Sequence, residues 1–240
     1  MKIAEPFAAF SSILLAAFSA PAQTAFQNLS FESANLSSPS GPFNEVPISS
    51  ALPGWSASIG GVPVTQVLQN NYTLGAASID IFGPNWNQTE PGIIDGNYTV
   101  FLQAFNAGQG NVSLWQNGTI PANAASLQFS AWQYPSVNEA FSVSFAGNSL
   151  SPVILGSGQS PSGQAYTVYG VNIAPYAGQT GQLEFTAAGG QGPDWVELDD
   201  ITFSTIPEPG TLALLFMGGM AFGVRSWRKS VKASRQDHKA

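Results

Sequence analysis

Short runs that alternate apolar and polar residues recur along most of this chain. Phe141, Val143 and Phe145 alternate with Ser142 and Ser144, the period-two signature of a strand with one buried face. Ala125–Trp132 alternates in the same way, with Leu127 and Phe129 on the inward side. Gly147-Asn148 follows the first of these runs and predicts a hairpin into Leu150. The same pattern predicts strands at Ala25–Phe31, Gly54–Ile59, Val64–Leu68, Ala77–Phe82, Tyr98–Ala104, Val112–Gln116, Ala125–Tyr134, Ala140–Phe145, Ser151–Leu155, Ala165–Ile173, Gly181–Ala187 and Trp195–Ser204. Gly, Pro, Asn and Ser punctuate the gaps. No segment between 25 and 205 has a helical period, and there is no internal repeat. Many short strands at this spacing predict an all-β, two-sheet sandwich or jelly roll. Ser37–Pro42 reads as a loop and Ser204–Pro209 as a short tether.

Two segments break the pattern. MKIAEPFAAFSSILLAAFSAPAQTA has one Lys, an apolar run from Phe7 to Phe18 and then small residues, which predicts a signal peptide over 1–22, cut before Gln23. At the other end, an apolar run from Thr211 to Val224 leads into cations. Six of the seven Lys and Arg lie after residue 224, and none lies between Ile3 and Val224. Cations held behind an apolar helix mark its cytoplasmic end, because carrying them across a bilayer is costly. A spanning helix is expected over 211–227, with Trp227 at the interface and 228–240 as a basic cytoplasmic tail. Residues 23–205 are then the exported domain, and 206–210 the join.

Charge narrows what that domain can do. Residues 23–205 hold 11 of the 14 acids and no Lys, Arg, His or Cys. Such a surface does not hold a nucleic-acid backbone or clamp a phosphate. Ser-His-Asp and Cys-His catalysis, Schiff-base lysine and histidine-ligated zinc are excluded there. Two-carboxylate glycoside chemistry and oxygen-ligated calcium stay open.

Pro207-Glu208-Pro209, the Gly-containing apolar helix and the terminal Arg/Lys cluster together resemble the PEP-CTERM sorting signal. The resemblance implies export in a Gram-negative bacterium that makes extracellular polysaccharide. It also implies recognition of Pro207, Glu208 and Pro209 by exosortase, a membrane transpeptidase that removes the helix and tail. The domain itself is similar to galactose-binding-domain-like jelly rolls, including carbohydrate-binding modules and DUF642-type extracellular domains. Phe26-Gln27-Asn28-Leu29-Ser30-Phe31-Glu32, Leu52-Pro53-Gly54-Trp55, Asp95-Gly96-Asn97-Tyr98 and Leu198-Asp199-Asp200-Ile201-Thr202-Phe203 carry that likeness in order. Leu29-Ser30 departs from it, standing where glycine is common. The likeness implies terminal strands lying side by side and a structural Ca2+ where they meet, held by Glu32 and Asp200, with Asp199 and backbone carbonyls.

A sugar site needs flat aromatic faces beside amides and carboxylates. Asn85-Trp86-Asn87-Gln88 places one Trp on a polar loop and is the candidate ligand-binding set; the competing reading makes Trp86 a lid over the core edge. Trp55 and Trp195 are expected in the core, while Trp115, Trp132 and Tyr134 are candidates for a binding face. Seven Asn-x-Ser/Thr triplets, at Asn28, Asn35, Asn71, Asn87, Asn97, Asn111 and Asn117, follow from the Asn/Ser/Thr-rich composition. The function expected is a non-catalytic surface or matrix protein that engages extracellular polysaccharide. The alternatives are an adhesive protein without a sugar site, or a carboxylate enzyme using Glu90, Asp95 or Glu139.

Overall fold

The computed structural model describes residues 24–36, 38–71, 75–88, 91–105, 110–134, 141–189 and 194–207. Its strands are β1 (Glu45–Pro47), β2 (Ser56–Ile59), β3 (Val62–Val64), β4 (Gln66–Gln69), β5 (Ser78–Phe82), β6 (Thr99–Ala104), β7 (Val112–Thr119), β8 (Ser126–Tyr134), β9 (Phe141–Phe145), β10 (Asn148–Leu150), β11 (Val153–Gln159), β12 (Ala165–Asn172), β13 (Thr180–Ala187) and β14 (Asp194–Ser204). The larger sheet has the order β1-β4-β5-β6-β14-β8-β12-β11, and the smaller β10-β9-β13-β7-β2-β3. Every pairing is antiparallel except β4 with β5. From β6 onward the chain passes repeatedly from one sheet to the other, the winding of a jelly roll.

Alternation explains the sandwich. Leu127, Phe129 and Ala131 of β8 and Val196 and Leu198 of β14 are buried on one face, opposite Val143, Phe145, Leu183 and Phe185 of the smaller sheet. Phe129 meets Phe185 edge-on across the gap, with ring centroids 5.4 Å apart. The Gly147-Asn148 hairpin forms as expected, pairing Asn148 with Phe145.

The expected strand at Ala25–Phe31 does not form. Only Ala25 bridges to Thr119. Asn28 (φ 49°) and Phe31 (φ 59°) take left-handed backbone, and the Asn28 side chain accepts the Ser33 N–H at 2.9 Å. This kink drives Phe31 into the core against Trp55, 5.6 Å away, while the Trp55 indole donates to Asn28 O at 2.9 Å. The two separated motifs are therefore one packing unit. The N-terminal segment still lies beside the last strand: Ile201 donates to Leu29 O at 3.0 Å, and Phe26 lies 5.4 Å from Phe203.

Other expectations shift. Val64–Leu68 divides into β3 and β4, which belong to different sheets. β1 and a single helical turn, Ile48–Ala51, occupy a stretch with no pattern long enough to read. Among the described residues no helix is long and apolar enough to cross a membrane. The expected signal peptide, the helix over 211–227, the basic tail, Glu208 and Pro209 lie outside the described residues. Pro207 is half-buried, and the carbonyl before it, Ile206 O, accepts the Ser126 hydroxyl at 2.9 Å.

Candidate functional site

The outer face of the larger sheet carries most of the chemistry. Register sets Asp80, Phe101, Glu197 and Trp132 in one row across β5, β6, β14 and β8. The row beside it begins Ser78, Gln103, Trp195. Both follow from alternation: Val196 and Leu198 point into the core, so Trp195, Glu197 and Asp199 point outward. Trp195 is thus not a core residue of the sandwich, contrary to the sequence reading. It is half-buried, with its ring 6.0 Å from Phe101. Trp132 is half-buried too, as is Tyr166, whose ring lies over Gly158 of the neighbouring strand.

The polar groups of this face are buried and tied down. Glu197 has no exposed surface; its Oε1 accepts the Gly92 N–H at 2.8 Å and its Oε2 the Gln164 amide at 2.6 Å. The Gln103 amide donates to Ala76 O. Asp80 is fully buried, and burial pushes its carboxyl well above the usual range against bonds from the Ser78 hydroxyl and the Asn71 N–H. Among the described residues its Oδ1 has no hydrogen-bond partner. Sequence reasoning missed Asp80, Glu197, Gln103 and Gln164. The outward alternation Trp195-Glu197-Asp199 was the signal available.

The residues expected to hold calcium meet around the Asp95–Tyr98 turn. Glu32 Oε1 accepts the backbone N–H of Asn97 at 2.8 Å and of Tyr98 at 2.9 Å, and Oε2 accepts the Asn97 amide at 2.9 Å. Gly96 is required there: its φ is +58°, and a Cβ would lie 2.4 Å from Glu32 Oε1. From the other side, Asp199 Oδ2 accepts the Thr99 hydroxyl at 2.6 Å and the Asp95 N–H at 3.2 Å, and Oδ1 accepts the Asp200 N–H at 2.7 Å. Burial pushes Asp199 up to about 8 despite those donors, with the Asp95 charge adding to the rise. Asp200 sits at φ 49° in the bulge of β14, its carboxyl raised by partial burial and by Asp95. Calcium takes six to eight oxygens with free lone pairs. Here the oxygens of Glu32 and Asp199 already accept protein donors, and among the described residues no three His, Cys, Asp or Glu side chains are placed to hold a metal. So arranged, the carboxylates of Glu32 and Asp199 staple the turn from its two sides.

The Trp86 loop divides. Asn85, Asn87 and Gln88 are exposed. Trp86 folds back, stacking on Phe82 at 4.3 Å and 8° and donating to Pro91 O at 2.7 Å. Trp55 is core, as expected. Trp115 lies in the smaller sheet, so the structure does not join it to Trp132. Asp95 belongs to the stapled turn; Glu90 and Glu139 lie outside the described residues.

Residues 205–229 match the PEP-CTERM protein-sorting motif. No curated protein matches the sequence. Among solved structures, TmCBM61 in complex with β-1,4-galactotriose is similar at 15% identity and a TM-score of 0.37, covering 76% of this chain and 98% of that one.

Proposed function

We propose that this chain is an exported, non-catalytic protein of the cell surface or extracellular matrix that binds extracellular polysaccharide on the outer face of its larger sheet. Delivery rests on the sorting motif. In this reading an exosortase-type transpeptidase of a Gram-negative envelope takes Pro207-Glu208-Pro209, and the apolar helix anchors the chain until it does.

One observation carries the ligand reading: half-buried Trp132 and Trp195 stand on one face of the larger sheet, in register with the buried polar residues Glu197 and Gln103. An indole offers a flat apolar face to the C–H side of a pyranose ring. Gln164, Glu197 and Gln103 have no exposed surface and are hydrogen-bonded into the fold, so they form the floor of this face and the indoles its accessible part. With no cation between Ile3 and Val224, the face suits sugars without acidic groups. Phe101 stands between Asp80 and Glu197 in the row, and Asp199 is committed to the turn, so these acids do not flank an open cleft as a hydrolytic pair does.

The test is affinity electrophoresis of the full chain through gels containing neutral polysaccharides. Trp132→Ala and Trp195→Ala should each remove most of the retardation while the fold, followed by circular dichroism, persists. Retardation unchanged in both variants would sink the binding reading. Reducing sugar released from the same polymers would overturn the non-catalytic part. Trp86 packed onto Phe82 favours a second reading, an adhesive protein without a sugar site, under which wild type shows no retardation at all.

A further inference from the structure

The opposite side of the sandwich carries an independent arrangement. In the smaller sheet, Val112, Leu114, Leu183 and Phe185 are buried, so the residues between them point outward. Register sets Ser149, Ser144, Glu184, Trp115 and Ser56 in one line across β10, β9, β13, β7 and β2. The adjacent line is all hydroxyl at its centre, with Ser113 Oγ and Thr186 Oγ1 2.8 Å apart. Trp115 and Glu184 are each half-buried and lie directly opposite one another.

Trp115 contrasts with Trp55 and Trp86. Those indoles donate to backbone carbonyls and pack against buried rings. The Trp115 side chain makes no hydrogen bond and no ring contact among the described residues; Ser56 and Glu184 flank it across the sheet, and Ser113 and Asn117 precede and follow it on the same face. Folding gives no reason for a large ring there, since the sheet is already buried on its other face. A Trp between Ser56 and a carboxylate, with Ser113 and Thr186 in the next line, offers the two things a pyranose ring needs: an apolar platform for its C–H face and acceptors for its hydroxyls. Uronates and sulfated sugars are excluded, because they would meet Glu184 with no cation to balance them.

We propose that Trp115 and Glu184 form a second glycan platform, for neutral hexopyranose chains, so that one molecule bridges two polysaccharide strands. The two sheets stack about 10 Å apart and their outer faces point in opposite directions. One straight strand cannot lie on both. The bridging rests on the function proposed above; the Trp115 platform does not.

The experiment uses the full chain in mild detergent with a neutral β-glucan, a neutral β-galactan, a mannan and, as acidic control, polygalacturonate. Calorimetric titration with oligosaccharides of these polymers counts sites, and turbidity reports cross-linking. Expected is two sites per chain and precipitation of at least one neutral polymer. Trp115→Ala should leave one site and abolish precipitation. Glu184→Gln should weaken that site about tenfold, the loss of a hydrogen bond to a charged acceptor. Trp115→Phe keeps a ring and should retain part of the affinity, which guards against a folding artefact. Two sites and full precipitation in Trp115→Ala would overturn the proposal and leave the larger-sheet reading standing. Binding lost in Trp132→Ala but untouched in Trp115→Ala would do the same. Binding to none of the neutral polymers would overturn both. Self-association without sugar that Trp115→Ala abolishes would assign this face to a second copy of the chain and overturn the platform.

Discussion

The buried carboxyl of Asp199 makes stability depend on pH in an unusual direction. In the unfolded chain it releases its proton near 3.8, but in the fold burial holds the proton until about 8. Between those values the folded state binds more protons than the unfolded state, so stability falls as pH rises. One such group changes stability by about 1.4 kcal/mol per pH unit. From pH 5 to pH 7 that is a loss of about 2.7 kcal/mol, large against the roughly 5–15 kcal/mol of a whole domain. Asp80 acts with the same sign, since its carboxyl is also raised by burial. Urea unfolding of the full chain, followed by tryptophan fluorescence at pH 5, 6, 7 and 8, measures the slope. Asp199→Asn cannot ionise, so its profile should be flatter by about one group. It should also be less stable at pH 5 by about 1–3 kcal/mol, because its NH2 would face the Thr99 hydroxyl or a backbone N–H where an acceptor is needed. Wild-type stability that is flat or rising between pH 5 and 7, or an Asp199→Asn profile parallel to wild type, would refute the reasoning.

Three further outcomes follow from the same geometry. Gly96→Ala should cost about 1–3 kcal/mol, because it puts a Cβ on a positive φ and against the Glu32 carboxylate; an unchanged urea midpoint would show that the turn is not stapled. Calcium added to chelator-treated chain should give no heat and no rise in melting temperature, since Glu32 and Asp199 already accept protein donors; uptake of one ion per chain would mean that those carboxylates turn away from the Asp95–Tyr98 turn. Trp86→Ala should lower stability through its lost stack on Phe82 and leave polysaccharide retention unchanged; lost retention with unchanged stability would restore the loop as a binding site.

Period-two alternation made β5 to β9 and β12 to β14 legible to within a residue or two at most ends, because each buries one face against the same core. It failed where side chains, and not periodicity, fix the backbone. Phe26 to Phe31 has the composition of a strand, yet Asn28 kinks it by accepting Ser33 N–H, and Trp55 holds the kink from a distant segment. The candidate face was harder still. Asp80, Phe101, Glu197 and Trp132 lie far apart in sequence and form a row only once strand order and register are known. The rule that large aromatics go inside puts Trp195 in the core, but it does not say which side of a sheet is inside.

The distribution of charge ties the two halves of the chain together. A sandwich with 11 acids and no cation over 23–205 gains nothing from long-range attraction to anionic polymers or lipids. Under the function proposed, affinity has to come from short-range contact, which favours fixed aromatic platforms over flexible charged arms. The cations are concentrated after Val224, behind the apolar segment, the placement that would orient a spanning helix in a bilayer. If removal of that segment at Pro207–Pro209 releases the sandwich, the mature domain loses all but its acidic charge. Mass spectrometry of the chain from its native envelope tests this. A mature product running from about Gln23 to Pro207–Pro209 is expected, and a C-terminus intact through Ala240 would make the helix a permanent anchor.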